Sequence, residues 1–213
     1  MNFLAGFFIL ITFQVATAAT LVTQTVGQVS DHVVTSREVQ IAMAIEGVLF
    51  PSPKSPAKSL NETRPGNPDF RTAVTAVLLE AVVAIEAENF NVANISSEEV
   101  NAAVAQVEKM VAGRAYWNEL EVSAQELKTF TTRKLMAKSF LKFKTSSMSG
   151  IITDQEAQDY YERNRVKFGS SSFDSFKDNI KTYLAQQQLE ERIRSWFEVI
   201  KRKYRVRTFV AEP

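Results

Sequence analysis

The sequence predicts a mostly α-helical protein with a small antiparallel strand pair formed by the two ends of the mature chain. Three observations carry this. Ser or Thr followed three residues later by Glu occurs four times at a plausible helix start. Apolar residues recur at helical spacing through most of the chain. Val- and Thr-rich alternation is confined to the segments 21–29 and 206–210.

No charged side chain precedes Asp31, and Phe3 to Phe13 is an unbroken apolar run. As a helix that run rises only about 16 Å, short of a bilayer core of about 30 Å. Ala16-Thr17-Ala18-Ala19 follows, a small-x-small pattern that a signal peptidase can cut. Residues 1–18 therefore read as a signal peptide and 19–213 as one mature domain with no stable membrane span. The n-region lacks Lys and Arg, so an uncleaved anchor or a buried N-terminal helix stands as the alternative. No Cys follows the run for lipid attachment. Export without cysteines suits the periplasm of a Gram-negative bacterium. The glycosylation triplets Asn61-Glu62-Thr63 and Asn94-Ile95-Ser96 are common by chance and carry little weight.

In the mature chain, Leu21 to Val29 reads as a strand, Ser30-Asp31-His32 as a turn and Val33-Val34 as a short return. The capping-box pairs then mark helix starts: Thr35 with Glu38, Ser96 with Glu99, Ser123 with Glu126, Thr153 with Glu156. In each, the hydroxyl accepts an orphan N–H and the Glu reaches back to the cap. Helices are expected over 36–49, 69–89, 97–112, 124–144, 154–163 and 173–204. Between the first two lies a proline-rich loop, 50–68, which cannot hold a regular helix. Gly113 ends the third helix, and a short turn or helix around Tyr116 and Trp117 leads to the fourth. Gly169 to Ser172 is a linker. The last helix is a rod of about 45 Å, longer than a small globule needs. The tail alternates at Val206, Thr208 and Val210, and pairing it with the first strand brings the long helix back onto the N-terminal region.

Composition excludes much. The 213 residues include 25 Lys+Arg and 24 Asp+Glu, a net charge of +1 that gives no overall pull toward nucleic acid or anionic lipid. There is no Cys and one His. Disulfide scaffolds, cysteine-bound zinc, iron–sulfur clusters, thiol nucleophiles and multi-histidine metal sites are excluded. Seven Gly leave little room for a phosphate loop, and no nucleotide-binding, nucleophile-elbow or H-E-x-x-H motif occurs. No cofactor and no metal are expected.

The order of elements resembles the SurA family of periplasmic chaperones. Three segments carry the resemblance: Val26 to Val39 (VGQVSDHVVTSREV), Ile151 to Glu162 (IITDQEAQDYYE) with Phe168 after it, and the closing stretch from Gln188-Leu189-Glu190-Glu191-Arg192-Ile193 through Trp196 to Tyr204-Arg205-Val206-Arg207. The resemblance implies a SurA- and trigger-factor-like peptide-binding helical domain. Many relatives carry a parvulin prolyl isomerase domain after the Tyr-Tyr-Glu helix. Here that place holds only residues 169–172. Parvulin catalysis is associated with paired histidines, and this chain has only His32. The resemblance therefore implies the chaperone module without the enzyme.

The implied function is an ATP-independent holdase that binds unfolded polypeptides, outer-membrane protein precursors among them, in an apolar cleft between the N-terminal helices and the last helix. The alternative is a non-catalytic module that binds one dedicated envelope partner, through the 50–68 loop for example. The sharpest candidate surface is the helix 124–144. Lys128, Arg133, Lys134, Lys138, Lys142 and Lys144 are six cations with no acid among them, interleaved with Phe130, Met136, Phe140, Leu141 and Phe143. Aromatic and Met side chains adapt to varied apolar segments, and cations attract acidic clients. Tyr116, Trp117, Phe130, Met136, Phe140 and Phe143 are the candidate client-binding residues. The plainer reading places the aromatics in the core and the lysines on a solvated face. The basic tail Lys201 to Arg207 complements a helix C-terminus rather than nucleic acid. Paired carboxylates such as Glu98-Glu99 and Glu190-Glu191 read as caps or solvated charges rather than an acid/base pair. His32 reads as a solvated turn residue.

Overall fold

Helix starts in this chain follow from local hydrogen bonding. A computed structural model describes residues 23–51, 63–91 and 95–210. The segment 1–18, expected to be a signal peptide, the expected start of the first strand at Leu21 and most of the proline-rich loop lie outside them, as do Asn61 and Asn94 of the two triplets. All four cap hydroxyls accept the backbone N–H three residues on: Thr35 from Glu38, Ser96 from Glu99, Ser123 from Glu126 and Thr153 from Glu156. The reciprocal bond back to the cap forms at Ser123 and Thr153. At Thr35 the Glu38 carboxylate is turned instead to His32 and Arg133.

The elements in order are β1 (Thr25–Val29), β2 (His32–Thr35), α1 (Ser36–Leu49), α2 (Phe70–Phe90), α3 (Ser97–Val111), α4 (Ala115–Glu119), α5 (Ala124–Met148), α6 (Asp154–Arg163), α7 (Lys177–Lys203) and β3 (Arg207–Thr208). Two helix ends differ from the sequence reading by more than one residue. α5 continues to Met148, because Lys144, Thr145, Ser146 and Ser147 are all tolerated in a helix and nothing breaks it before Ser149-Gly150. The last helix begins at Lys177, after a 3₁₀ turn over Phe173–Ser175, so Phe173 and Phe176 lie outside it. A second 3₁₀ turn, Arg165–Phe168, precedes the 169–172 linker.

The sheet is antiparallel with order β2-β1-β3, so both ends of the described chain meet in it. Gly27 makes this possible. A Cβ there would lie 2.8 Å from the Arg207 carbonyl oxygen and 2.8 Å from a Leu78 methyl. The closure continues beyond the sheet. Ser30 N–H donates to the Tyr204 carbonyl at 2.7 Å. The Tyr204 hydroxyl donates to Glu86 at 3.0 Å and accepts from Asn89 at 2.8 Å, and Lys203 pairs with Glu86 at 3.0 Å. The end of α7 is thereby fixed to α2.

Among the described residues, three apolar clusters hold the body. The largest joins the sheet with α2, the second half of α5 and the end of α7, through Val29, Val74, Val82, Phe140 and Ile200. The second packs α1, α3 and α5 through Ile41, Ile45, Val107 and Leu127. Arg37 braces it, donating to the Leu120 carbonyl at 2.8 Å and to Glu126 at 2.7 Å. The Arg37 hydrogen bond, helped by the Ser123 cap, holds the Glu126 carboxyl down at about 2. The third is a small cluster of α6 and the start of α7, built on Ala157, Tyr161 and Ile180. α7 thus spans from the third cluster to the first.

Gly27→Ala is expected to lower unfolding stability by about 1–3 kcal/mol, because one of the two obstacles at 2.8 Å is backbone, which cannot swing aside. Urea unfolding read by far-UV circular dichroism measures it. An unchanged midpoint contradicts the closure described.

Candidate functional site

α5 carries the expected candidate surface, and three of its six cations turn to carboxylates of α1 and α2. The backbone carries Arg133, Lys134 and Lys138 onto the sides that meet α1 and α2. Arg133 bridges two helices: Nη1 lies 2.5 Å from Glu38 and Nε 3.1 Å from Glu80. Lys134 pairs with Glu80 and, at 3.1 Å, with Glu46. Lys138 reaches the same Glu46 at 2.8 Å. Lys134 is 4% exposed. The reading of a continuous cationic client surface is therefore corrected: half of its cations are consumed by three carboxylates. Lys128 and Lys142 remain at the surface.

His32 is corrected too. Its Nε2 lies 3.1 Å from the Glu38 carboxylate, so it joins the edge of the same network. Burial alone would raise the Glu38 carboxyl. The His32 hydrogen bond and the Arg133 charge outweigh it and hold the group below the usual carboxylate range. Burial likewise opposes ionisation of Glu46, and Lys134 and Lys138 outweigh it. Among the described residues, Arg133 Nη2 and the Thr131 hydroxyl are buried without a hydrogen-bond partner. The Phe130 ring, with its centroid 5.0 Å from the guanidinium carbon, gives Arg133 a cation–π neighbour.

Above this network opens a cleft of about 290 Å³ between α1, α2, α5 and α7. Its apolar walls are Met43, Leu79, Val83, Leu141 and Phe197. The charges at its floor are two acids, Glu46 and Glu80, and two cations, Lys134 and Lys138, already paired with one another. A charged ligand group entering here would have to break a pair. A neutral apolar group would only displace water. The volume lies at the small end of ligand pockets, room for a side chain or two rather than a large molecule.

The six sequence candidates are divided. Trp117 and Phe130 pack against the second cluster, with Tyr116 half-buried beside them. Met136 packs against the first, and Phe140 is buried within it, 1% exposed. Phe143 alone is exposed, at 46%. None of the six lines the cleft. The residues that do line it were legible in one respect. Lys134, Ala137, Lys138 and Leu141 stand at i, i+3, i+4 and i+7, which places them on one helix face. Their partners on α1 and α2 come from distant parts of the chain, so the face alone did not show that it borders a cavity. Among the described residues no group of three or more His, Asp or Glu is placed to hold a metal, and no helix is long and apolar enough to cross a membrane.

Lys134→Met is expected to cost about 3 kcal/mol of stability, because it leaves the buried Glu80 carboxylate and the half-buried Glu46 carboxylate each short of a cation. Lys128→Met on the exposed face should stay within about 0.5 kcal/mol of the parent. Urea titration of both decides it, and equal losses would contradict the buried network.

Neither a family model, a curated protein nor a solved structure matches the chain.

Proposed function

We propose that this protein is an ATP-independent holdase of the bacterial periplasm that binds unfolded polypeptide and carries no prolyl isomerase activity. The observation that carries the reading is the cleft: apolar walls, a self-neutralised floor and room for a side chain or two. The sequence resemblance to the SurA family supports the cellular setting and the client class, outer-membrane protein precursors.

The energetics suit passive work. Burying one large apolar side chain is worth about 1.5–3 kcal/mol, too little to hold a folded protein's own core residue. An unfolded chain offers several such side chains in succession, and successive weak contacts add through effective concentration. Folding of the client buries the same groups internally, so release needs no nucleotide. The self-paired floor makes the cleft contact indifferent to the client's local sequence, which a general holdase requires.

Ala76 stands at the cleft and is itself exposed, so a bulky side chain there fills the opening without entering the core. Dilution of a urea-unfolded outer-membrane protein, followed by light scattering, tests the reading. The parent chain should suppress aggregation at near-stoichiometric ratio. Ala76→Trp should suppress it several-fold less while keeping its unfolding stability within about 0.5 kcal/mol of the parent. No suppression by the parent at large excess overturns the holdase reading in favour of a single dedicated partner.

A further inference from the structure

Outside the cleft, three helices meet in an aromatic cluster that is only partly covered. The ring centroids of Phe90 at the end of α2, Phe143 on α5 and Trp196 on α7 lie 5.7, 6.1 and 6.2 Å from that of buried Phe140. Phe90 is 55% exposed and Phe143 46%. Single exposed apolar residues are ordinary, whereas adjoining large rings mark a contact surface.

Lys144 stands in the same patch. Its ammonium nitrogen lies 6.0 Å from the Phe90 centroid and 5.7 Å from the Trp196 centroid. Arg133, Lys134 and Lys138 on the same helix all have carboxylate partners. Among the described residues, Lys144 has no carboxylate within ion-pair distance. The aromatic faces therefore already hold a cation, and that cation still has N–H donors to offer. A basic ligand would have to displace Lys144 from the rings against its charge. An acidic ligand meets an ammonium with no competing acid.

We propose that this patch binds a polypeptide segment in which an acidic side chain stands beside an apolar or aromatic one. The carboxylate pairs with Lys144, and the apolar group covers Phe90 and Phe143. The inference rests on the reading that the protein binds unfolded polypeptide and adds the class of segment preferred at a second, charge-selective contact. The cleft floor is self-neutralised; this patch is not.

Fluorescence anisotropy with two short labelled peptides tests it, identical except that Glu in one is Lys in the other, each beside a central Phe. The Glu peptide should bind at least about tenfold tighter, and added salt should weaken it. Lys144→Met, which keeps the apolar stem, and Lys144→Gln should each remove the difference between the peptides. Phe143→Ser should weaken the Glu peptide. Circular dichroism confirms that the variants are folded. Equal binding, preference for the Lys peptide, or a difference that survives both Lys144 variants overturns the proposal. The failures are separable: suppression of aggregation without peptide discrimination overturns this inference alone. Peptide discrimination without suppression keeps the patch and overturns the holdase reading.

Discussion

Arg133 and Lys134 are adjacent on α5, and three carboxylates from two other helices close around them. Burying these charges costs several kcal/mol per ion before pairing, so the network adds little net stability. It does constrain geometry. Sliding α5 by one turn against α1 or α2 would leave cations and acids apart in an apolar interior. One register keeps every member paired. That register sets Ala137 and Leu141 on the cleft wall, Phe140 at the aromatic hub and Phe143 at the surface. The positions of both proposed contacts follow from where the charges are satisfied.

The closure of the chain ends supplies the remaining wall. β3 reaches β1 only because Gly27 admits the Arg207 carbonyl. Tyr204 then fixes the end of α7 to the β1–β2 turn and to Glu86 on α2. With that end held, Phe197 faces the cleft and Trp196 the aromatic patch, next to each other in sequence with centroids 4.8 Å apart. α7 is thus a shared partition between a self-neutralised contact and a charge-selective one. Its other end rests on the separate cluster with α6, joined by Asp154 to Lys181 at 2.7 Å and to Lys177 at 2.5 Å. These bonds hold the Asp154 carboxyl near 2.

Local physics was readable from the sequence, and long-range satisfaction was not. The cap hydroxyls at Thr35, Ser96, Ser123 and Thr153 act within one turn, so four helix starts fall where the sequence puts them. Pairing between the two ends was also legible, since β-type alternation occurs nowhere else. The direction of the α5 cations was not. Each partner of Arg133 and Lys134 stands more than forty positions away on another helix, and a run of Lys and Arg looks solvated until those acids are placed beside it. Glu38 misled for the same reason: its spacing from Thr35 reads as a reciprocal cap, but burial beside Arg133 and His32 offers it stronger partners. Phe140, Phe143 and Lys144 stand on the helix the sequence singles out, whereas Phe90 and Trp196 reach Phe140 only in three dimensions, so the full aromatic patch is not legible in the sequence.

The central claim is that unfolded polypeptide enters the cleft bordered by α2 and α7. Site-specific photo-crosslinking tests it most directly. A photoreactive phenylalanine analogue is placed at Leu79 on the cleft wall, and separately at Val166, which is 96% exposed and outside both contacts. Each chain is irradiated with a urea-diluted outer-membrane protein. The account predicts a crosslinked client from Leu79, lost when the client is folded beforehand, and little from Val166. Equal yields from both positions, or none from Leu79 while aggregation is still suppressed, would contradict it.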